Sequence, residues 1–401
     1  METQDKFVPF RGALRAALGR GQVLVFVTVH PEAQATAVYR LDVDKAELSS
    51  DPLPAGAVAI FEADESLFVA GTDGRVYKGP ADGGALSAFG EAFDPAPIAL
   101  APLSEGRLAV LSGASIAIVD RQSGKTLQRL PLAEAGTALA SDAAGVWLAA
   151  GTSRGVLAVF DCEEKKDFLA AESKKIHDGA VSALLFDPDE LRVYSAGSDN
   201  KLLLTHARGE LEPEDRAGGS AHEGLVQALT LGLEDKLYSA GRDGTIKTWT
   251  RGPGKRRPST LKDGVGNAAA LVRVEWKGRP HLALFAEDQT VRLFPLDAGG
   301  KVNDRALVVR DAYALAEHAF EAREPERREA ALRTLAGYND GKAIEILGKR
   351  AAQDPEVGLR ALSTKLLGAS GNPRATKLLE GLLSAGEEHV RMAALEGLRA
   401  L

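Results

Sequence analysis

The chain has 401 residues, 45% of them hydrophobic and 26% charged, with a formal net charge of -7 at pH 7. That length accommodates one large closed domain and a smaller one, and the acidic balance argues against a dedicated nucleic-acid binder. Cys162 is the single cysteine, which excludes an internal disulfide and a multi-cysteine zinc site and fits a reducing compartment. The N-terminus carries early acidic residues and no long apolar core, so it does not read as a secretory signal. The longest apolar runs, such as Val23 to Val29, are strand-length and far short of a membrane span. These features set the expectation of a cytoplasmic protein without a membrane segment.

Short apolar runs bounded by Gly, Asp and Ser recur along the first three quarters of the chain, as buried strands separated by tight turns do. Small residues at the end of each second run align as Gly71, Gly151, Gly197, Gly241 and Ala286, with Ser112-Gly113 in the same place. A divergent first copy fits upstream, as Ala13 to Leu18, Val23 to Val29 and Thr36 to Val43. Seven copies then begin near residues 12, 57, 97, 137, 180, 224 and 266. Each is too small to bury its own apolar faces, so the copies have to stack on one another. The first and third match least well, and counts of six or eight stay open. For the outer edge of the last copy the expectation is that either Ala306 to Val309 or Lys6 to Phe10 pairs there, because an unpaired edge invites aggregation.

The most complete copy is Ser220 to Arg251, in which His222, Ser239, Asp243 and Trp249 stand at the positions of the hydrogen-bonded chain of WD40 repeats. The next best has His177, Ser195 and Asp199, with Thr205 in place of the tryptophan. Phe294 and Phe160 hold the aromatic position in copies seven and four. On these residues, 1–311 resembles a seven-bladed WD40 β-propeller. The resemblance implies binding on the narrow face beside the turn aspartates, at Thr72, Ser198, Arg242 and Glu287.

After Asp311 alternation stops and apolar residues fall at helical spacing. Helices are predicted at about 312–322, 325–337, 341–352, 355–368, 372–384 and 387–400. Asp354-Pro355 and Asn372-Pro373 read as an N-cap followed by proline in the first helical position, and Gly371 and Gly386 as stops. The segments PERREAALRTLAG, PEVGLRALSTKLLG and EEHVRMAALEGL resemble one another. The region 312–401 is similar to short bacterial HEAT-like repeats. Val390, Ala394, Leu398 and Leu401 form an apolar stripe on the last helix. Either it packs back on the preceding pair, or a partner helix is missing and 312–401 is a truncated array. The short link near Val308 to Ala314, without a Gly/Ser spacer, predicts limited hinge freedom.

His222, Ser239 and Asp243 have the composition of a hydrolytic triad, but the set recurs in copy five with no reason for two active sites. A structural role is the preferred reading. No metal or cofactor is expected. The histidines show no ligand spacing, His318 reads as a surface or packing residue on a helix, and Asp187-Pro188-Asp189-Glu190 lacks the glycine and further oxygens of a calcium loop. Arg251, Lys255, Arg256 and Arg257 form a basic loop that could meet phosphates, more often simply a solvated connection.

The sequence therefore predicts a non-enzymatic scaffold for protein partners or for further domains of its own chain, with no small-molecule substrate. A nucleic-acid-associated scaffold is the second reading. A propeller enzyme with a central-channel site is the third, and it lacks a repeated acidic position on the inner strands.

Overall fold

The computed structural model describes every residue except 1–5, 9–12, 30–36, 44, 46, 164–169, 217–220, 234, 254–257, 303–305, 312–319, 337–340 and 401. The chain divides into two compact units, Met1–Lys6 with Arg11–Val309, and Phe7–Phe10 with Arg310–Leu401. No helix among the described residues is long and apolar enough to cross a membrane.

The first unit contains seven antiparallel sheets, the blades of a propeller. Their inner strands begin at Ala13, Ala57, Pro97, Gly136, Val181, Val226 and Ala268. Six sheets have four strands and run in chain order from inside to outside. The seventh has five. Leu307–Asp311 is its fourth strand and Lys6–Val8 its fifth, so both expected segments, rather than one of them, build this edge. A lone added strand would itself leave a row of unpaired donors and acceptors.

One cross-strand pair recurs in all seven blades. A buried aliphatic on the second strand (Leu24, Leu67, Leu108, Leu148, Val193, Leu237, Leu282) faces Leu41, Gly79, Val119, Phe160, Thr205, Trp249 and Phe294 respectively on the third. Beyond their first one or two residues, the second strands are buried between neighbouring sheets, so they favour apolar or fully bonded residues there. This register corrects the sequence alignment in blade four: Thr152, not Gly151, pairs with the start of the inner strand. The threonine is tolerated because its hydroxyl is used in the turn, accepting from the Val156 N–H at 3.1 Å.

The seam between first and last blades closes by packing. The rings of Phe26 and Phe285 lie 5.5 Å apart. Gly19 sits so close to the last blade that a methyl group there would meet the Arg273 carbonyl oxygen at 2.7 Å.

In the second unit the described helices are α1 (Pro325–Ala336), α2 (Gly341–Gln353), α3 (Val357–Ala369), α4 (Ala375–Leu382) and α5 (Glu388–Ala400). The expected helix over 312–322 and His318 lie largely or wholly outside the described residues. Helices α1, α3 and α5 form one layer, and α2 and α4 the other. Leu332, Leu335, Ile344, Leu347, Leu367, Leu379, Val390 and Ala394 make the shared core.

Helices α3 and α4 start two residues later than the prolines predicted. Asp354 and Asn372 accept from the N–H groups of Glu356 and Arg374, each at 3.0 Å, forming turns that delay the helix. Asx turns of this kind compete with helical initiation. Gly371 does adopt the left-handed conformation, with φ +62°, after α3.

The periodic fixture of this unit is an arginine. Arg328, Arg360 and Arg391 each donate to the carbonyl six residues earlier, at 2.8, 2.9 and 2.7 Å. Arg328 also faces the fully buried carboxylate of Asp354 at 3.3 Å, and Arg360 meets Glu387 at 2.6 Å. Each arginine thus ties one helix to the loop before it, and two of them tie it to the next repeat. Of the apolar stripe of α5, Val390 and Ala394 are fully buried and Leu398 packs against the same core, while Leu401 lies outside the described residues.

Candidate binding face of the propeller

Two blades carry complete Asp–His–Ser chains. In blade six the His222 ring is buried, its Nδ1 2.9–3.0 Å from both oxygens of Asp243 and its Nε2 2.7 Å from Ser239 Oγ. Trp249 Nε1–H then donates to the same Ser239 oxygen at 2.9 Å. Blade five repeats the set, with His177 Nδ1 3.0 Å from Asp199 and Nε2 2.9 Å from Ser195 Oγ. Thr205 stands where the tryptophan would be, and its buried hydroxyl finds no partner. Phe160 and Phe294, which hold this position in blades four and seven, carry no polar atom and avoid that cost.

Burial pushes both histidines below their usual range, against the pull of the neighbouring carboxylates. They are neutral at pH 7. Burial alone would raise the aspartates. For Asp199 it is outweighed by the Asp178 N–H and then by His177, and for Asp243 by His222, Thr245 and the Glu223 N–H, so both sit below the ordinary range. Nδ1–H therefore donates to the carboxylate, leaving Nε2 to accept the serine proton. The order of groups is that of a hydrolytic triad, but Ser195 and Ser239 are 0% exposed. No substrate reaches either oxygen, and the set acts as a brace between inner turn and second strand.

The turns that these aspartates brace present the exposed face. The residue after the Gly or Ala that ends each of these second strands donates its N–H to a carbonyl just before the inner strand: Thr72 to Gly56 at 2.7 Å, Ser198 to Ala180 at 2.8 Å, Arg242 to Leu225 at 2.9 Å and Glu287 to Asn267 at 2.8 Å. The four sequence-predicted face residues thus occupy equivalent sites. Two of them meet: Arg242 pairs with Glu287 at 2.9 Å across blades six and seven, and Asn267 holds the other Glu287 oxygen at 3.1 Å. In blade four the equivalent residue is Ser153, donating to Ala135 at 2.8 Å.

Sequence reasoning missed a second ring. Every inner strand is bulged near its start, at the third residue in blade one and the second in the other six, and that residue drops out of the ladder: Arg15, Val58, Ile98, Thr137, Ser182, Gln227 and Ala269. Bulges sharpen the local twist, which the innermost strands of a closed ring need. Thr137 and Ser182 use the freed position to donate to the next blade, reaching the carbonyls of Val181 at 2.7 Å and Val226 at 2.5 Å. Ile98 is 40% exposed. The seven positions repeat around the propeller axis and make a rim of one cation, apolar residues and neutral polar groups. No shared residue type marks them, because the bulge is imposed by ring geometry.

At the opposite end of the inner strands a cavity of about 710 Å³ is lined by Leu18, Leu185, Thr230 and Val272, with Asp189, Arg251 and Arg273 at its edge. Arg251 is not the free cation that the basic loop suggested: it pairs with Asp189. Lys255, Arg256 and Arg257 lie outside the described residues. The acidic turn is likewise engaged, with Asp187 accepting from Tyr194 Oη at 2.8 Å and Glu190 paired with Arg192. Among the described residues no cluster of His, Cys, Asp or Glu is placed to hold a metal.

The family model of HEAT repeats matches residues 313–399. No curated protein gives a significant match. The fold is similar to solved propellers at low identity. A structure of the mitotic checkpoint complex aligns with TM-score 0.60 and 15% identity, covering 76% of this chain and 94% of that one. The computationally designed Ika8 protein aligns with TM-score 0.55 and 16% identity, over 74% and 100%. The WD40 repeats of RRP9 align with TM-score 0.53 and 17% identity, over 64% and 81%. The chain thus carries a seven-bladed β-propeller with the fold of WD40-repeat proteins, followed by helices that match HEAT repeats.

Proposed function

We propose that this chain is a non-enzymatic scaffold that binds protein partners on the propeller face carrying Thr72, Ser198, Arg242, Glu287 and the rim of bulge residues. The carrying observation is where polar chemistry is spent. Both Asp–His–Ser sets are sealed inside blades, and the inner strands hold no histidine or aspartate. What reaches solvent on this face is a broad mixture of apolar, neutral and oppositely charged groups. Such a mixture suits a protein surface, where affinity comes from complementary shape with scattered polar contacts, better than a small charged ligand.

The test is capture by the immobilised full chain, comparing an Ile98→Asp/Arg242→Glu variant with a Leu127→Asp control. Leu127 is 51% exposed on the outer strand of blade three. Proteins retained by the native chain and the control should be lost from the face variant. Equal retention by both variants, or none by the native chain, would overturn this reading.

A further inference from the structure

Helices α1, α3 and α5 align on their shared arginines, Arg328, Arg360 and Arg391. On that alignment the stripe 357, 361, 364 and 368 of α3 corresponds to Glu388, Met392, Leu395 and Arg399 of α5. In α3 the stripe is open at its N-terminal end, where Val357 is 39% exposed, and buried over its C-terminal half, where it meets α5. Thr364 is fully buried, and a methyl group on Gly368 would lie 2.3 Å from the Gly397 Cα. The equivalent of Thr364 in α1 is Leu332, also fully buried. In α5 the stripe is open: Met392 is 51% exposed and Leu395 38%, with Glu388 and Arg399 exposed at its two ends.

These four residues fall at i, i+4, i+7 and i+11, the spacing of a continuous seam on one helix face. Their order, acid–apolar–apolar–base, is self-complementary under a two-fold axis midway between Ala393 and Ala394. Two antiparallel copies of α5 would set Met392 against Leu395 of the other copy twice, at the centre. Glu388 would meet Arg399 of the other copy at both ends. A partner of arbitrary sequence has no reason to match this order; a second copy matches it automatically, as isologous interfaces require.

We propose that the open face of α5 is a self-association site, through which two copies of this chain pair antiparallel about a two-fold axis. The seam is one 13-residue helix long, so the dimer belongs to the small, weak and salt-sensitive class of interfaces.

Sedimentation equilibrium of the full chain tests this with charge swaps at solvent-exposed positions. Glu388→Arg alone opposes two cations, and Arg399→Glu alone opposes two anions. Each should weaken self-association by roughly tenfold, since two attractive end contacts become repulsive. Mixing the two single variants should give a heterodimer, and the double variant should regain the native affinity. Leu395→Asp should leave monomers with unchanged circular dichroism. A native chain that stays monomeric at every accessible concentration, or a dimer indifferent to the swaps and to Leu395→Asp, would overturn the proposal, the latter by placing the contact elsewhere.

Discussion

Trp249 and Thr205 occupy the same register position in adjacent blades, yet their chemistry differs in sign. Trp249 is 1% exposed and its only donor is satisfied by Ser239. Trp249→Ala should cost about 3–5 kcal/mol through the cavity it leaves. Thr205 instead buries an unpartnered hydroxyl, so Thr205→Val should be neutral or stabilise by up to about 1 kcal/mol. Urea unfolding of the two variants checks both signs, and a clear loss in Thr205→Val would mean that the hydroxyl has a partner. Residue chemistry also sets the pH response. His177, His222 and His281 are depressed below the unfolded value, first by burial. As pH falls through the unfolded histidine value of about 6.5, the unfolded chain binds protons that the folded chain refuses. Stability is therefore fully present above that pH and declines below it, with Asp199 and Asp243 extending the decline once the pH drops under the ordinary carboxylate range. The urea midpoint should drop between neutral pH and about pH 5; a flat or rising midpoint would contradict neutral, buried rings.

At the scale of elements, the α3–α5 crossing depends on two glycines. Helix propensity predicts that Gly368→Ala stabilises by about 1 kcal/mol. Packing predicts the opposite, because the new methyl would meet the Gly397 backbone, which cannot rotate away. We expect packing to win, with a loss of about 1–3 kcal/mol from overpacking, read as a lower thermal midpoint in the helical signal at 222 nm. The blades show how much of an element is legible beforehand. Inner strands start within two residues of the positions read from the repeat, since the turn glycines and aspartates mark where each strand must stop. The first residues of α3 and α4 were not legible. Asp-Pro and Asn-Pro suit both a helix N-terminus and an Asx turn, and only the packing of the flanking helices selects the turn.

For the propeller as a whole, the decisive contact is the edge of the last sheet. Leu307–Asp311 is covered on its outer side by Lys6–Val8. Deleting residues 1–8 should leave the blades folded but expose that edge, so light scattering should rise on storage while the far-ultraviolet spectrum is kept. Unchanged scattering would show that the edge needs no cover.

The sequence by itself determined the blade repeat, with seven copies as the expected count and six or eight left open, the change to helices after Asp311 and the candidate brace residues around His177 and His222. The repeat and the helices rest on local chemistry, because strand alternation, turn residues and helical periodicity are properties of short segments; the braces were what the resemblance to WD40 repeats implied. Only the tertiary structure decided that both chain segments join the last sheet, that Arg242 meets Glu287, that Thr152 replaces Gly151 in register and that seven unlike residues form one bulged rim. These depend on ring closure and on contacts between distant segments, which constrain position without constraining residue type.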